Sequence, residues 1–186
     1  CDQPVQQTDK PEFDYAGSDP KAVELAKQVI EAMGGKENWE NTRYLTWKTY
    51  GKTENVWDKK TGNYRVETKT SLIIMNVHTM EGRGWKYAQR ITDEETLQRA
   101  LEYGREAWMS NTYMLFAPFK LLDGGVTLKY LGEQHTDDGQ TREIISATFN
   151  SVGPTPENKY HFYIDEESTL VVKWEYFLDQ TDQHQR

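Results

Sequence analysis

The chain is short of cysteine: Cys1 is the one cysteine among its 186 residues. An intramolecular disulfide is therefore excluded, and so is a metal site built from cysteine pairs. Histidine is also scarce, and His78, His135, His161 and His184 lack the close spacing that puts two imidazoles on one metal ion. The sequence predicts no metal site.

Basic residues are outnumbered, with 22 Lys and Arg against 30 Asp and Glu, for a net charge of −8. Affinity for nucleic acid comes mostly from basic side chains that neutralise phosphates, so a nucleic-acid partner is not expected. The same net charge argues against binding to anionic membrane surfaces. No apolar run approaches the roughly 18 residues that a membrane-spanning helix needs.

Familiar catalytic motifs are absent too. No Gly-x-Ser-x-Gly elbow occurs, and Gly82-Arg83-Gly84 lacks the third glycine of a dinucleotide-binding turn. The acidic pairs Asp137-Asp138, Glu94-Glu95 and Glu166-Glu167 fall where turns and helix caps favour carboxylates. We therefore predict no catalytic residue and no cofactor. A hydrolase stays an alternative if two carboxylates, or a carboxylate and His161, converge in a cleft.

Aromatic residues are plentiful. Only 36% of the chain is hydrophobic, but 12% is aromatic, with six Trp, eleven Tyr and six Phe. A single core of this size must rely on aromatic side chains, which bury a large area each. These rings either fill the core or line a cavity for an apolar ligand.

The N-terminus has a distinctive composition. Cys1 is followed by a polar tail that runs to Pro11, which is typical of a processed bacterial lipoprotein. We interpret residues 1–17 as a lipid-carrying N-terminus, modified at Cys1, and a flexible linker. We expect a lipoprotein in the cell envelope of a Gram-negative bacterium. It would face the periplasm or the cell surface, anchored for example in the outer membrane.

Hydrophobic periodicity predicts a helix followed by strands. Pro20 suits the first position of a helix whose apolar residues recur every three or four positions, and Gly34-Gly35 ends it. From Tyr44 the period changes to two, which predicts a series of antiparallel strands. Residues 71–77 are apolar on both faces, so this segment should be a central strand.

A second helix and a second group of strands follow. Thr92 and Glu95 have the form of a capping box, and the helix must end near Ala117 because Pro118 disfavours helical backbone. Strands resume at Val126 and alternate to Leu178. This order predicts an α+β fold in which a curved antiparallel β half-barrel wraps around helices, as one domain over residues 18–186.

Four stretches resemble the LolA/LolB-like superfamily of periplasmic carriers, and more nearly a branch of envelope lipoproteins of uncharacterised function. They are Ala26–Trp39, Tyr113–Lys120, Gly125–Gly132 and Tyr160–Tyr176. Together the likeness extends over most of residues 19–178. Members of this branch tend to run on after the segment that holds Tyr176, so the resemblance implies that a final strand is lacking here.

The resemblance implies binding of an acyl chain or another hydrophobic small molecule between sheet and helices, without catalysis. We expect eight apolar side chains to line that cavity: Leu72, Ile74, Trp85, Met114, Phe116, Phe119, Leu128 and Trp174. The partners implied are a lipid, the membrane through the anchor on Cys1, and an envelope protein. Two alternatives stay open: a non-catalytic protein-protein adaptor or sensor, and a hydrolase or carbohydrate-binding module.

Overall fold

The computed structural model describes residues 11–137, 139–150 and 156–181, without the side chain of Met114. The predicted α+β class with antiparallel sheets is confirmed. The chain divides into two compact units, one of residues 37–117 and one that joins the residues up to 36 with those from 118 onward.

Residues 37–117 form a six-stranded antiparallel meander and a long helix. The strands pair in sequence order. The elements are α2 (Lys36–Asn41), β1 (Tyr44–Thr49), β2 (Thr53–Asp58), β3 (Asn63–Glu67), β4 (Ser71–Asn76), β5 (Gly82–Lys86), β6 (Gln89–Arg90) and α3 (Glu94–Phe116). As predicted, β4 is central, with a partner on each side.

One face of this sheet carries α3. The core of the unit consists of buried residues from the sheet and one from the helix, namely Tyr64, Val66, Ile73, Met75, Val77 and Leu101. Gly104 of α3 lets the helix approach β4, because a Cβ atom there would lie 2.7 Å from the sulfur of Met75. A sheet that packs one face on a helix is consistent with a curved half-barrel around a helix.

The start of α3 lies one residue later than the sequence predicted. Asp93, not Thr92, is the N-cap, and its carboxylate accepts a hydrogen bond of 2.8 Å from the backbone N–H of Thr96. Aspartate is as good a cap as threonine, and its oxygen reaches the third residue of the helix. The end at Phe116 agrees with the helix-ending effect of Pro118.

The other unit is built on a four-stranded antiparallel sheet. Its strand order is β10-β9-β8-β7. The elements are α1 (Pro20–Ala32), a 3₁₀ turn (Ala117–Lys120), β7 (Val126–His135), β8 (Thr141–Phe149), β9 (Lys159–Asp165) and β10 (Val171–Phe177). Leu128, Ile145 and Phe162 are fully buried in this sheet.

Polar contacts attach α1 to β7. The N-cap residue Asp19 accepts a hydrogen bond from the backbone N–H of Tyr130 at 3.0 Å, and Ser18 accepts one from Leu128 at 2.9 Å. Lys21 donates to the Tyr130 hydroxyl at 2.8 Å and forms an ion pair with Glu143 at 3.0 Å. The first turn of the helix is therefore fixed to the sheet.

Part of the segment that the sequence predicted as linker also contacts β7. The backbone N–H of Asp14 donates to Val126 at 3.2 Å, and the Asp14 carboxylate accepts from the Thr127 hydroxyl at 2.8 Å. The backbone carbonyl of Glu12 accepts from Gly125 at 3.0 Å. The described chain is thus bound to the sheet well before residue 18. Cys1 and the rest of residues 1–10 lie outside the described residues.

Candidate functional site

Three tryptophans meet on the face of the sheet that carries α3. Trp47 of β1 pairs with Asn55 of β2, and Trp57 lies two residues further along β2 on the same face. Such diagonal neighbours are roughly 7–8 Å apart. Trp108 of α3 completes the group, since its ring centroid is 5.4 Å from that of Trp57 at an interplanar angle of 71°.

Other rings extend this aromatic layer. Trp47 makes an edge contact with Phe116, with 5.7 Å between centroids, and stacks near Tyr64 at 6.4 Å. Phe116 also lies 5.1 Å from Trp39. The end of α3 and the first strands of the sheet therefore enclose a region lined almost entirely by aromatic side chains.

A buried polar network centres on Asn55, which has no exposed surface. Its carbonyl oxygen accepts from the Tyr64 hydroxyl at 2.5 Å and from the Asn111 amide at 3.4 Å. Its amide donates to the Thr49 hydroxyl at 3.1 Å and to the Thr53 carbonyl at 3.0 Å. Burial raises the pKa of Tyr64 to about 12, so this phenol stays protonated and acts as a donor.

The three indole N–H groups beside this network are not satisfied. The Nε1 atoms of Trp47, Trp57 and Trp108 are buried and have no hydrogen-bond partner within the described residues. Buried polar groups are nearly always paired, and an unpaired one costs roughly 1–3 kcal/mol. Three buried indole donors therefore lie at one helix–sheet interface without an acceptor from the described residues.

A small cleft opens at the edge of this region. Its volume is about 140 Å³ and its lining is mostly apolar. It is formed by Lys48, Thr49, Tyr50, Asn111 and Leu115. Asn111 links the cleft directly to the Asn55 network. Ligand pockets usually enclose roughly 300–1,000 Å³, so this cleft is too small to hold a whole acyl chain.

Five of the eight predicted cavity residues belong to residues 37–117, and the structure separates them. Phe116 lies in the aromatic region. Leu72, Ile74 and Trp85 lie on the opposite face, because the register of β4 and β5 turns Ile73 and Gly84 toward α3. The Met114 side chain lies outside the described part of the chain.

The remaining three predicted residues belong to the other unit. Leu128 is fully buried on β7, and Phe119 is half-buried in the 3₁₀ turn. Trp174 of β10 is half-buried against Tyr160, with 5.9 Å between ring centroids. These three residues therefore belong to a different unit from the aromatic region described above.

His161 does lie beside a carboxylate. Its cross-strand partners are Glu175 on one side and Ser146 on the other. Glu175, however, accepts from the Tyr163 hydroxyl at 2.7 Å and forms an ion pair with Lys173. Within the described residues no hydrogen bond joins Ser146 to His161.

Burial affects the pKa values of both His161 and Glu175. It lowers the pKa of His161, and nearby Lys159 lowers it further. For Glu175, burial acts to raise the pKa, but the hydrogen bonds from Lys173 and Tyr163 outweigh it and keep the pKa low. His161 is therefore a neutral imidazole beside the Glu175 carboxylate, which is already paired.

Over residues 11–137, 139–150 and 156–181, no group of three or more His, Cys, Asp and Glu side chains could hold a metal ion. None of the helices in that part of the chain has the length and hydropathy to cross a bilayer.

The sequence analysis treated the aromatic residues together, as core or cavity side chains, and did not single out Trp47, Trp57 and Trp108. Their alternation in β1 and β2 could have placed the first two on one face. Asn55 and Asn111, by contrast, were missed, because no local pattern indicates that residues so far apart in the chain share a hydrogen bond.

Comparison with known proteins adds little. No family model matches the chain, and no curated protein matches its sequence. Among solved structures, a distant similarity is found to the crystal structure of a DUF1329 family protein from Desulfovibrio piger ATCC 29098. The sequences are 12% identical, and the match covers 89% of this chain and 76% of that chain with a TM-score of 0.38. A similarity this weak carries no argument about function, and the likeness to the LolA/LolB-like superfamily stays a prediction.

Proposed function

We propose that the protein binds an acyl chain or another hydrophobic ligand without transforming it, between the sheet and α3 of residues 37–117. The observation that supports this proposal is the set of three unpaired indole donors of Trp47, Trp57 and Trp108. A ligand that is largely apolar and carries at least one oxygen acceptor would satisfy these donors and suit the rings around them. A fatty acid or an acyl ester has both properties.

Water is a poorer partner for these donors. A buried water molecule is held by two to four polar groups. Asn55, at the centre of the polar network, already bonds to Tyr64, Asn111 and Thr49. Apart from His78, whose ring lies 6.3 Å from that of Trp108, the interface around the indoles is mainly aliphatic and aromatic, which suits a hydrocarbon chain better than water.

The chemistry of the site favours binding over catalysis. Indole N–H and amide groups donate hydrogen bonds but do not act as acids or bases near neutral pH. The pKa of Tyr64 is about 12, so it is a weak acid here. The proposed role is therefore that of a carrier or receptor for the ligand.

The lipid anchor at Cys1 and the location in a bacterial envelope stay predictions of the sequence. They are compatible with a ligand-binding role at a membrane. A partner protein in the envelope is likewise a prediction.

Native mass spectrometry of the full chain purified from a bacterial host tests the proposal. We expect a bound fatty acid or phospholipid that solvent extraction releases. A ligand-free mass that persists after incubation with lipids would contradict the proposal and would favour the adaptor or sensor alternative.

A set of variants tests whether the ligand occupies the proposed place. In W47F/W57F/W108F each indole donor is removed while an aromatic ring remains, so we expect weaker binding of a fatty acid in calorimetric titration. Trp85→Phe is the matched control, because Trp85 lies on the opposite face of the sheet. An equal loss in both variants would contradict the assignment.

A further inference from the structure

One end of the six-stranded sheet differs from the rest of this acidic protein. In an antiparallel meander every second turn lies at the same end, so the β1–β2, β3–β4 and β5–β6 turns lie side by side. Neighbouring strands are about 4.8 Å apart, which places successive tips of this group roughly 10 Å from each other. We call these three turns, residues 50–52, 68–70 and 87–88, the tip surface.

The tip surface and its flanks are rich in unpaired cations. Lys52, Lys69, Lys86 and Arg90 are exposed and form no ion pair within the described residues. The acidic side chains close by are already neutralised: Glu54 pairs with Lys48 at 3.0 Å, and Glu67 pairs with Arg65. The net charge of the surface is therefore positive.

Acidic residues elsewhere in the chain, among them Asp93, Glu94 and Glu95 at the start of α3, contribute to the net charge of −8. That total therefore hides the local excess of cations at the tips. Because screening at physiological salt acts within about 8 Å, a partner at the tip surface experiences mainly the local positive charge.

Two exposed tyrosines stand at the tips. Tyr50 is 80% exposed and Tyr87 is 70% exposed. Both have left-handed backbone, with φ of 48° and 51°, and Ala88 beside the latter has φ of 63°. Such conformations are uncommon for residues other than glycine, asparagine and aspartate, so each tyrosine adopts its backbone conformation at a cost in strain. An amphipathic ring of this kind suits a membrane–water interface.

The tips are held in place rather than loose. The backbone N–H of Tyr87 donates to the Thr70 carbonyl at 2.8 Å, which joins two neighbouring turns. Within the middle turn, the hydroxyls of Thr68 and Ser71 are 2.8 Å apart. The β3–β4 and β5–β6 turns, with Lys69 and Tyr87, are therefore fixed to each other.

We propose that the tip surface binds an anionic phospholipid membrane. The unpaired cations supply attraction to the headgroups and the two tyrosines enter the interfacial layer. An anionic membrane is the partner that fits, because its charge complements the cations and its interface suits the exposed tyrosines. This proposal reverses the expectation, drawn from net charge alone, that the protein does not bind anionic membranes. The surface also adjoins the cleft through Tyr50. This proposal does not depend on the ligand-binding proposal, because different residues carry it.

Co-sedimentation with vesicles tests it, using the full chain produced without lipid modification. We expect binding to vesicles that contain phosphatidylglycerol and little binding to phosphatidylcholine alone, with a decrease as salt is raised. Each basic residue at an anionic surface contributes about 1 kcal/mol, or about fivefold, so K52E/K69E/K86E should lose roughly a hundredfold or more. Replacing both tyrosines with Asn, which tolerates the same backbone, should weaken binding by a smaller factor.

The control variant K27E/K60E/R105E changes the net charge equally at exposed positions that belong to none of the three tips. It should bind like the original chain. Three results would overturn the proposal: no binding to phosphatidylglycerol vesicles, equal binding to both vesicle types, or an equal loss in the control variant. Circular dichroism of each variant establishes that the fold is retained.

Discussion

Replacement of Tyr64 by Phe tests the polar network at the heart of the aromatic region. The Tyr64 hydroxyl is buried and donates to Asn55 at 2.5 Å. Its loss removes a hydrogen bond with a net value of about 1 kcal/mol and leaves the Asn55 carbonyl with only the longer bond from Asn111. Adding the partial cost of that underpaired acceptor, we expect a loss of about 2 kcal/mol in the free energy of unfolding.

Urea denaturation followed by circular dichroism measures this change. A loss of about 2 kcal/mol corresponds to a decrease in Tm of roughly 4–8 °C for a chain of this length. Tyr87→Phe is the control, since that ring is 70% exposed and its substitution should change stability by less than about 0.5 kcal/mol. A loss below that limit for Tyr64→Phe would refute the reasoning, because it would show that Asn55 does not depend on the phenol.

Three other substitutions test the fold and the N-terminus. Arg43 lowers the pKa of Asp58 to about 2 through paired hydrogen bonds. Asp58→Asn should therefore destabilise the protein at neutral pH. The difference in free energy of unfolding between the variant and the original chain should disappear as pH falls from 3.8 through about 2. A difference that is constant with pH would contradict this. Gly104→Val should lower stability by about 1–3 kcal/mol in urea denaturation, because the valine side chain would collide with Met75. An unchanged midpoint of urea unfolding would show instead that the helix can shift. Radiolabelled palmitate should enter the protein expressed from its natural gene and be lost in Cys1→Ser; labelling that survives this change would exclude Cys1 as the modified residue.

The sequence predicted the elements well where one face of a segment is apolar and the other polar. The helix at Pro20, the end of α3 before Pro118 and the central position of β4 all follow from local chemistry. The first turn of α3 was misplaced by one residue, because Thr92 and Asp93 are both good caps and only the observed hydrogen bond distinguishes them.

The site was harder to predict for a physical reason. Residues 72–75 are apolar at every position, so their pattern could not decide which alternate set faces the helix. The sequence analysis assigned Leu72 and Ile74 to the cavity, whereas the register turns Ile73 and Met75 toward α3. A shift of one residue reverses every side chain of a strand.

Nuclear magnetic resonance of the indole N–H groups tests the central proposal most directly. The chain has six tryptophans, so a ¹⁵N-labelled sample gives up to six indole signals, which single Trp→Phe variants assign. On addition of a fatty acid we predict downfield shifts of the Trp47, Trp57 and Trp108 signals, as these donors gain an acceptor, with little change for Trp85. Unchanged signals for those three tryptophans at saturating ligand would contradict the account.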